Sequence, residues 1–296
     1  ARPAGLLAKE AKKFKSKKGA ERVSRIVAYT VLAIICLIWL IPFLMLTILS
    51  FRGEQAGISA DYLFPKQWSF NNYIKLFTET KFLTWYGNTL LVSVVVTVFQ
   101  TIIVLMTSYA LSRLRFKLRK PLMNLMLILG MFPGFLSMTA VYFVLKEINL
   151  TQNLVGLILV YSASSAMQYY ICKGFFDTIP KSLDEAARID GASRHTVFLK
   201  IILPLAKPII IYTVLTAFIA PWGEFMFSSF MMKGDPDKFT VAVGMKSWLD
   251  NSTLMAEGYF TVFCAAAVVV SIPITALFIW LQRYYVEGVT GGSVKG

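Results

Sequence analysis

Residues 183–208 read LDEAARIDGASRHTVFLKIILPLAKP, a charged island set between long runs that carry almost no charge. Of the 296 residues, 56% are hydrophobic and 16% charged, and the mean hydropathy is +0.62. A soluble domain of this length presents more charge to water, so the composition belongs to a membrane protein. The island is then a part of the chain that meets water, and its folding decides how the rest is read.

Working outward, a run free of charge must cover about 30 Å of hydrocarbon to span, which takes roughly 20 helical residues. Six such runs occur, at 26–51, 86–112, 121–145, 150–172, 208–232 and 258–282, the fifth interrupted by one acid, Glu224. A segment inside hydrocarbon satisfies its backbone internally, so each run is predicted to be a helix, and the alternating strands of a barrel do not occur. Pro42, Pro133, Pro221 and Pro273 fall inside these runs, where they are expected as tolerated kinks. The prediction is an all-α integral membrane protein: a basic segment 1–25, a six-span domain 26–282 and a Gly-rich tail 283–296.

Of the 30 Lys and Arg, 22 lie before span one, between spans two and three, between spans four and five, or after span six. Basic residues gather on the cytoplasmic side, so both termini and the island are predicted to be cytoplasmic, in a bacterial or archaeal cytoplasmic membrane. The net charge of +14 is thereby read as a topology signal plus contact with anionic membrane lipid, and no nucleic acid is expected as a partner. The first apolar run is too long for a cleaved signal peptide and reads as a retained helix, with 1–20 mobile or lying on the membrane surface. Cys36, Cys172 and Cys264 are widely spaced and read as packed thiols, and the single histidine, His195, builds neither a metal site nor a triad by itself.

Within the island, Ser182 and Glu185 have the spacing of a capping box, opening a helix over Leu183–Asp190 that Gly191 would end in the left-handed conformation. Ser193 is placed to cap a second helix running to Leu203, before Pro204, with Val197, Phe198, Ile201 and Ile202 on one face. Ala186 and Ala187 leave room for close approach. Three structures fit a helix–glycine–helix pattern: an amphipathic loop on lipid headgroups, a DNA-reading helix-turn-helix, and a hairpin presented to a partner. The second needs a packed third helix, for which a segment tethered at both ends to spans leaves no room.

Glu185 to Pro204 matches EAA-x3-G-x9-I-x-L-P at every fixed position, and so resembles the signature loop of permease subunits of binding-protein-dependent ABC importers. WGEF at 222–225 is similar to a WNEF-like stretch of sugar permeases, with Gly223 where Asn is usual. FTVAVGM at 239–245 and the ending GVTGGSVKG resemble MalG-type subunits of maltose and maltodextrin transporters. The resemblance implies a type I importer permease fold with a coupling loop at 181–204, in which Glu185, Ala186, Ala187, Asp190, Gly191 and Ser193 dock on an ATPase. It implies as partners a second related permease, two ATP-binding ABC subunits and an extracytoplasmic sugar-binding protein. Phe239, Thr240, Val241, Gly244 and Met245 would touch the binding protein, and Gly291, Gly292 and Lys295 would reach the ATPase pair.

No Walker A sequence occurs; GFFDTIPKS at 174–182 has the wrong spacing. The chain is therefore expected to be no enzyme and to bind no cofactor, with ATP and Mg held by the partner ATPases. An ion-coupled secondary transporter and a non-sugar ABC importer permease remain alternatives, a passive channel being the third class. Ion coupling needs ionisable groups at membrane depth, and Glu224 alone qualifies, beside Pro221 and Trp222, either lining a pathway or gate or satisfied by a neighbour. On the outer side, 53–81 is predicted to carry a short interfacial helix around Asn72–Thr80, with Trp68 and Tyr73 at headgroup level.

Overall fold

The computed structural model describes the backbone of residues 4–54, 64–131 and 134–291, with side chains at 22–54, 64–131, 134, 136–282 and 284. In chain order the helices are α1 (Ala4–Ser50), α2 (Asn71–Thr78), α3 (Phe82–Arg113), α4 (Arg119–Met131), α5 (Gly134–Glu147), α6 (Leu154–Ala163), α7 (Ala166–Thr178) and α8 (Lys181–Ile189). There follow α9 (Arg194–Val197), α10 (Leu203–Leu205), α11 (Lys207–Gly223), α12 (Met226–Met231), α13 (Val241–Leu249), α14 (Ser252–Ala256) and α15 (Tyr259–Gly291). Among the described residues no strand forms, only an isolated antiparallel bridge between Arg52 and Trp68.

The six apolar runs are all helical, but only three are uninterrupted: 22–50 within α1, α3, and 259–282 within α15. The third run is described as α4 and α5, on either side of residues 132 and 133, and the fourth is split into α6 and α7 with a 40° bend at Ser164 and Ser165. The fifth breaks at Glu224 and Phe225, between α11 and α12. α1, α11 and α15 run through Pro42, Pro221 and Pro273, and Pro133 lies outside the described residues. α1 spans Ala4–Ser50, so from Ala4 on the basic segment is helix continuous with span one.

α3 is the central post, packed between α11, α7 and α6. It is apolar all round, so hydrophobic contrast does not mark its inner face. Its small polar residues do: Thr89, Ser93, Gln100, Ser108 and Ser112 are all buried along one stripe. α1 packs on α15 and leaves its apolar flanks, such as Trp39 and Phe43, exposed to lipid or to another subunit.

At the end opposite the island, α2 is the short helix predicted. Buried Asn72 donates to the carbonyls of Ser50 (2.9 Å) and Arg52 (2.8 Å) and accepts from Thr261 Oγ1 (2.9 Å). One amide thus ties the ends of α1, α2 and α15. Asn72→Leu strands those partners, and a loss of about 1–3 kcal/mol is expected for buried groups left unpaired. Thermal unfolding in detergent measures it; an unchanged transition would contradict the role.

Candidate functional site

The island folds as a bent helical hairpin. α8 ends in a Schellman arrangement: Ala192 N–H donates to Ala187 O (2.9 Å) and Gly191 N–H to Arg188 O (3.1 Å), with Gly191 at φ +85°. A Cβ at Gly191 would meet nothing within 4 Å, so glycine serves the left-handed backbone and not close packing. Ser193 caps the second arm by accepting from Thr196 N–H at 3.1 Å. The capping box is corrected: α8 starts at Lys181 after Pro180, with no side-chain cap bond. Pro at that position already sets the turn that Ser182 was expected to supply.

The second arm does not stop before Pro204. A π-helical turn, Phe198–Ile202, absorbs it, Leu203 N–H donating to Phe198 O. Pro204 offers no N–H to the carbonyl four residues back and its ring crowds it, and the wider register relieves both. The arm then turns by 82° into α11. Val197 and Ile202 bury into a core with Val104, Tyr169, Phe176 and Ile209, so one arm is part of the bundle. α8 has no buried residue, and Ile189 near the bend is 86% exposed. Glu185, Ala186, Asp190, Gly191 and Ser193 are exposed with it, Ala187 half-buried.

What holds α8 is a residue the sequence reading passed over. Arg113, the last residue of α3, has a side chain only 6% exposed; its Nε lies 2.8 Å from Asp184 Oδ2 and its Nη2 donates to Ile179 O at 2.9 Å. Burial pushes the Asp184 carboxyl above its ordinary value and Glu185 adds to this, with Arg113 opposing. Just above, Ser112 Oγ donates to Asp177 Oδ1 (2.6 Å), which also pairs with Lys173 (2.5 Å). The only sequence signal was a basic residue ending an apolar run.

Two polar clusters sit at the helix breaks. At the α11–α12 break Glu224 accepts from the N–H groups of Phe227 (2.7 Å) and Ser228 (2.9 Å), from Ser228 Oγ (2.9 Å) and from the Tyr161 hydroxyl (2.5 Å). It thus caps α12 and ties it to α6. Pro221 and Trp222 are buried, Trp222 edge-on to Tyr86 at 5.2 Å, in a wall that also frames a recess of about 400 Å³ with Phe225. At the α6–α7 break, Gln100 donates to Ser165 Oγ (2.7 Å) and Gln168 Oε1 (3.1 Å), and Gln168 to Thr216 Oγ1 (2.9 Å), linking α3, α7 and α11. Attention to ionisable groups missed this neutral network, although two glutamines inside apolar runs announce it.

The outer-loop residues are corrected. Thr240, Val241, Gly244 and Met245 are buried and Phe239 half-buried within the chain's own fold. Asn88 donates to the carbonyls of Asp237 (2.8 Å) and Phe239 (3.0 Å), Trp85 Nε1 to Pro236 O (2.8 Å) and Val241 N–H to Thr89 Oγ1 (2.8 Å), zipping the loop onto α3. A Cβ on Gly244 would stand 2.0 Å from the Trp85 ring. In the tail, Gly291 is the last described residue of α15, and Gly292 and Lys295 lie outside the described residues.

Two outcomes follow. Glu224→Leu is expected to lower stability by about 2 kcal/mol through the lost cap and stranded hydroxyl, and Glu224→Gln by distinctly less; equal melting of the two in detergent would contradict the capping role. Gly191→Val forces a branched residue to positive φ at a cost of about 1–2 kcal/mol, so amide exchange in α8 should quicken while that of α3 does not.

This geometry accords with the comparisons. The family model described as the inner membrane component of binding-protein-dependent transport systems matches residues 103–291. The Bacillus subtilis maltodextrin transport permease MdxG is 35% identical, covering 94% of this chain and 98% of the relative. The MalD permease of Streptococcus pneumoniae is 34% identical (95% and 99%), and MalG of Yersinia pestis 31% (88% and 91%). The crystal structure of a bacterial ABC transporter involved in the import of the acidic polysaccharide alginate contains a chain of like fold, TM-score 0.74 at 24% identity, covering 90% of this chain and 98% of that one. The chain belongs to the family of inner membrane components of binding-protein-dependent transport systems, the permeases and not the ATPases.

Proposed function

We propose that this chain is one of two different permeases of an ATP-driven ABC importer for maltodextrin or a related oligosaccharide, the spans of both together forming the pathway. The observation that carries the reading is the hairpin: α8 has no fully buried residue, exposes Ile189 at 86%, and yet is fixed at its base by Arg113. An apolar residue held out in water on a rigid mount is a docking knob, since an idle loop would fold it in. Two partner ATPases bind ATP and Mg, and their closure pushes the hairpin. Because its second arm is continuous with the core of α3, α7 and α11, the push turns those spans and exchanges inward- for outward-facing states. The termini and hairpin then face the cytoplasm, and an extracytoplasmic binding protein delivers the sugar at the opposite end. The sugar class rests on relatives named for maltodextrin and galactooligosaccharide transport.

The capped state of Glu224 speaks against ion coupling: its carboxyl oxygens are occupied by α12 and Tyr161. Ile189→Asp is expected to weaken co-purification with the ATPase by roughly tenfold or more and to abolish ATP-driven maltodextrin uptake in proteoliposomes. Uptake that persists without the ATPase, or that follows an ion gradient, would overturn the proposal.

A further inference from the structure

Two adjoining recesses open where α3 gives way to α4. The first, of about 530 Å³, is lined by Arg113, Arg115, Arg119, Lys181, Arg188 and Arg194 against only Asp184 and Glu185. The second, of about 450 Å³, shares Arg115, Phe116 and Arg119 and adds Lys117, Lys120 and Lys173 over Met123. Asp184 is engaged by Arg113, and Lys173 by Asp177. Among the described residues, no carboxylate lies within 4 Å of the charged nitrogens of Arg115, Lys117, Arg119 or Lys120. Arg119 Nε is buried with no hydrogen-bond partner. Arg119 and Lys120 moreover open α4, whose first turn holds no acid. Cations there oppose the helix dipole, and an anion would relieve them.

We propose that this recess binds the headgroup phosphate of an anionic phospholipid. What selects a lipid over a soluble anion is the surface beyond the cations. The second recess is lined also by Phe116 and Met123, and Leu127 stands one turn beyond Met123 on the same face of α4, so apolar surface leads from the cations along the helix. Basic residues between span ends, with apolar surface leading into the membrane, have the shape of a phospholipid: phosphate at the guanidinium groups, acyl chain along Phe116, Met123 and Leu127. The site sits beside Arg113, so an occupied recess would bridge the 114–118 loop to α7 and the hairpin base.

The test uses the full chain released from nanodiscs of mixed phosphatidylglycerol and phosphatidylcholine into native mass spectrometry. The wild type is expected to retain phosphatidylglycerol preferentially. Arg115→Gln/Arg119→Gln/Lys120→Gln should lose that preference by roughly a hundredfold in affinity, three cations at the membrane surface being removed. Lys200→Gln/Lys207→Gln, which removes charge elsewhere at the same end, should keep it. Should the triple variant misfold, Arg115→Lys/Arg119→Lys carries the test and is expected to retain the lipid. Equal retention in wild type and triple variant would overturn the site. Displacement of the lipid by inorganic phosphate would overturn the lipid assignment in favour of a soluble anion, and displacement by added ATPase would assign the cations to that protein's surface instead. No transport or hydrolysis is measured, so this outcome stands apart from that of the functional proposal.

Discussion

A single guanidinium holds the arrangement together. Arg113 ends the central helix and grips Asp184 and the Ile179 carbonyl, one ion pair and one hydrogen bond from a side chain almost wholly out of water. Removing one partner of such a pair leaves a buried charge unmet, which costs about 3–5 kcal/mol. α8 has no buried residue of its own. Without the clasp it would hang from the bend at one end and Pro180 at the other, and a push on its tip would deform the hairpin before it moved a span.

With the clasp, the path from tip to membrane is short and stiff. The second arm enters the core through Val197 and Ile202, and α3 carries the load between α7 and α11. At one break the Glu224 carboxylate takes the backbone N–H groups of Phe227 and Ser228 and is tied to Tyr161, and beside the other Gln100, Gln168 and Thr216 join α3, α7 and α11 through their side chains. Helices interrupted at satisfied polar points can change angle without stranding backbone groups in hydrocarbon, which an unbroken rod cannot do. A mechanism that rocks spans between two arrangements needs such points near the pathway.

The number and place of the spans were legible because twenty apolar residues in a row have few alternatives. The hairpin was legible because its glycine and its Ser193 cap act through neighbours in sequence. The interruptions were not, since Pro42, Pro221 and Pro273 are the visible breakers while the helices stop at Ser164 and Glu224, beside polar groups whose partners, such as Gln100 and Tyr161, are far away in sequence. Arg113 escaped notice for the same reason: its partners are 66 and 71 positions away. The segment 239–245 was recognisable as a motif, but only the zipper from Asn88 and Trp85 shows that it faces inward.

The central claim is that hairpin and central helix move as one body. Spin labels at Asp190 on the bend and Val98 on the exposed face of α3 would report the distance within this chain, in the assembled complex with and without trapped nucleotide. The account predicts an unchanged distance while labels at Asp190 and on the partner permease move relative to each other. A hairpin that shifts against Val98 while the spans stay fixed would contradict it.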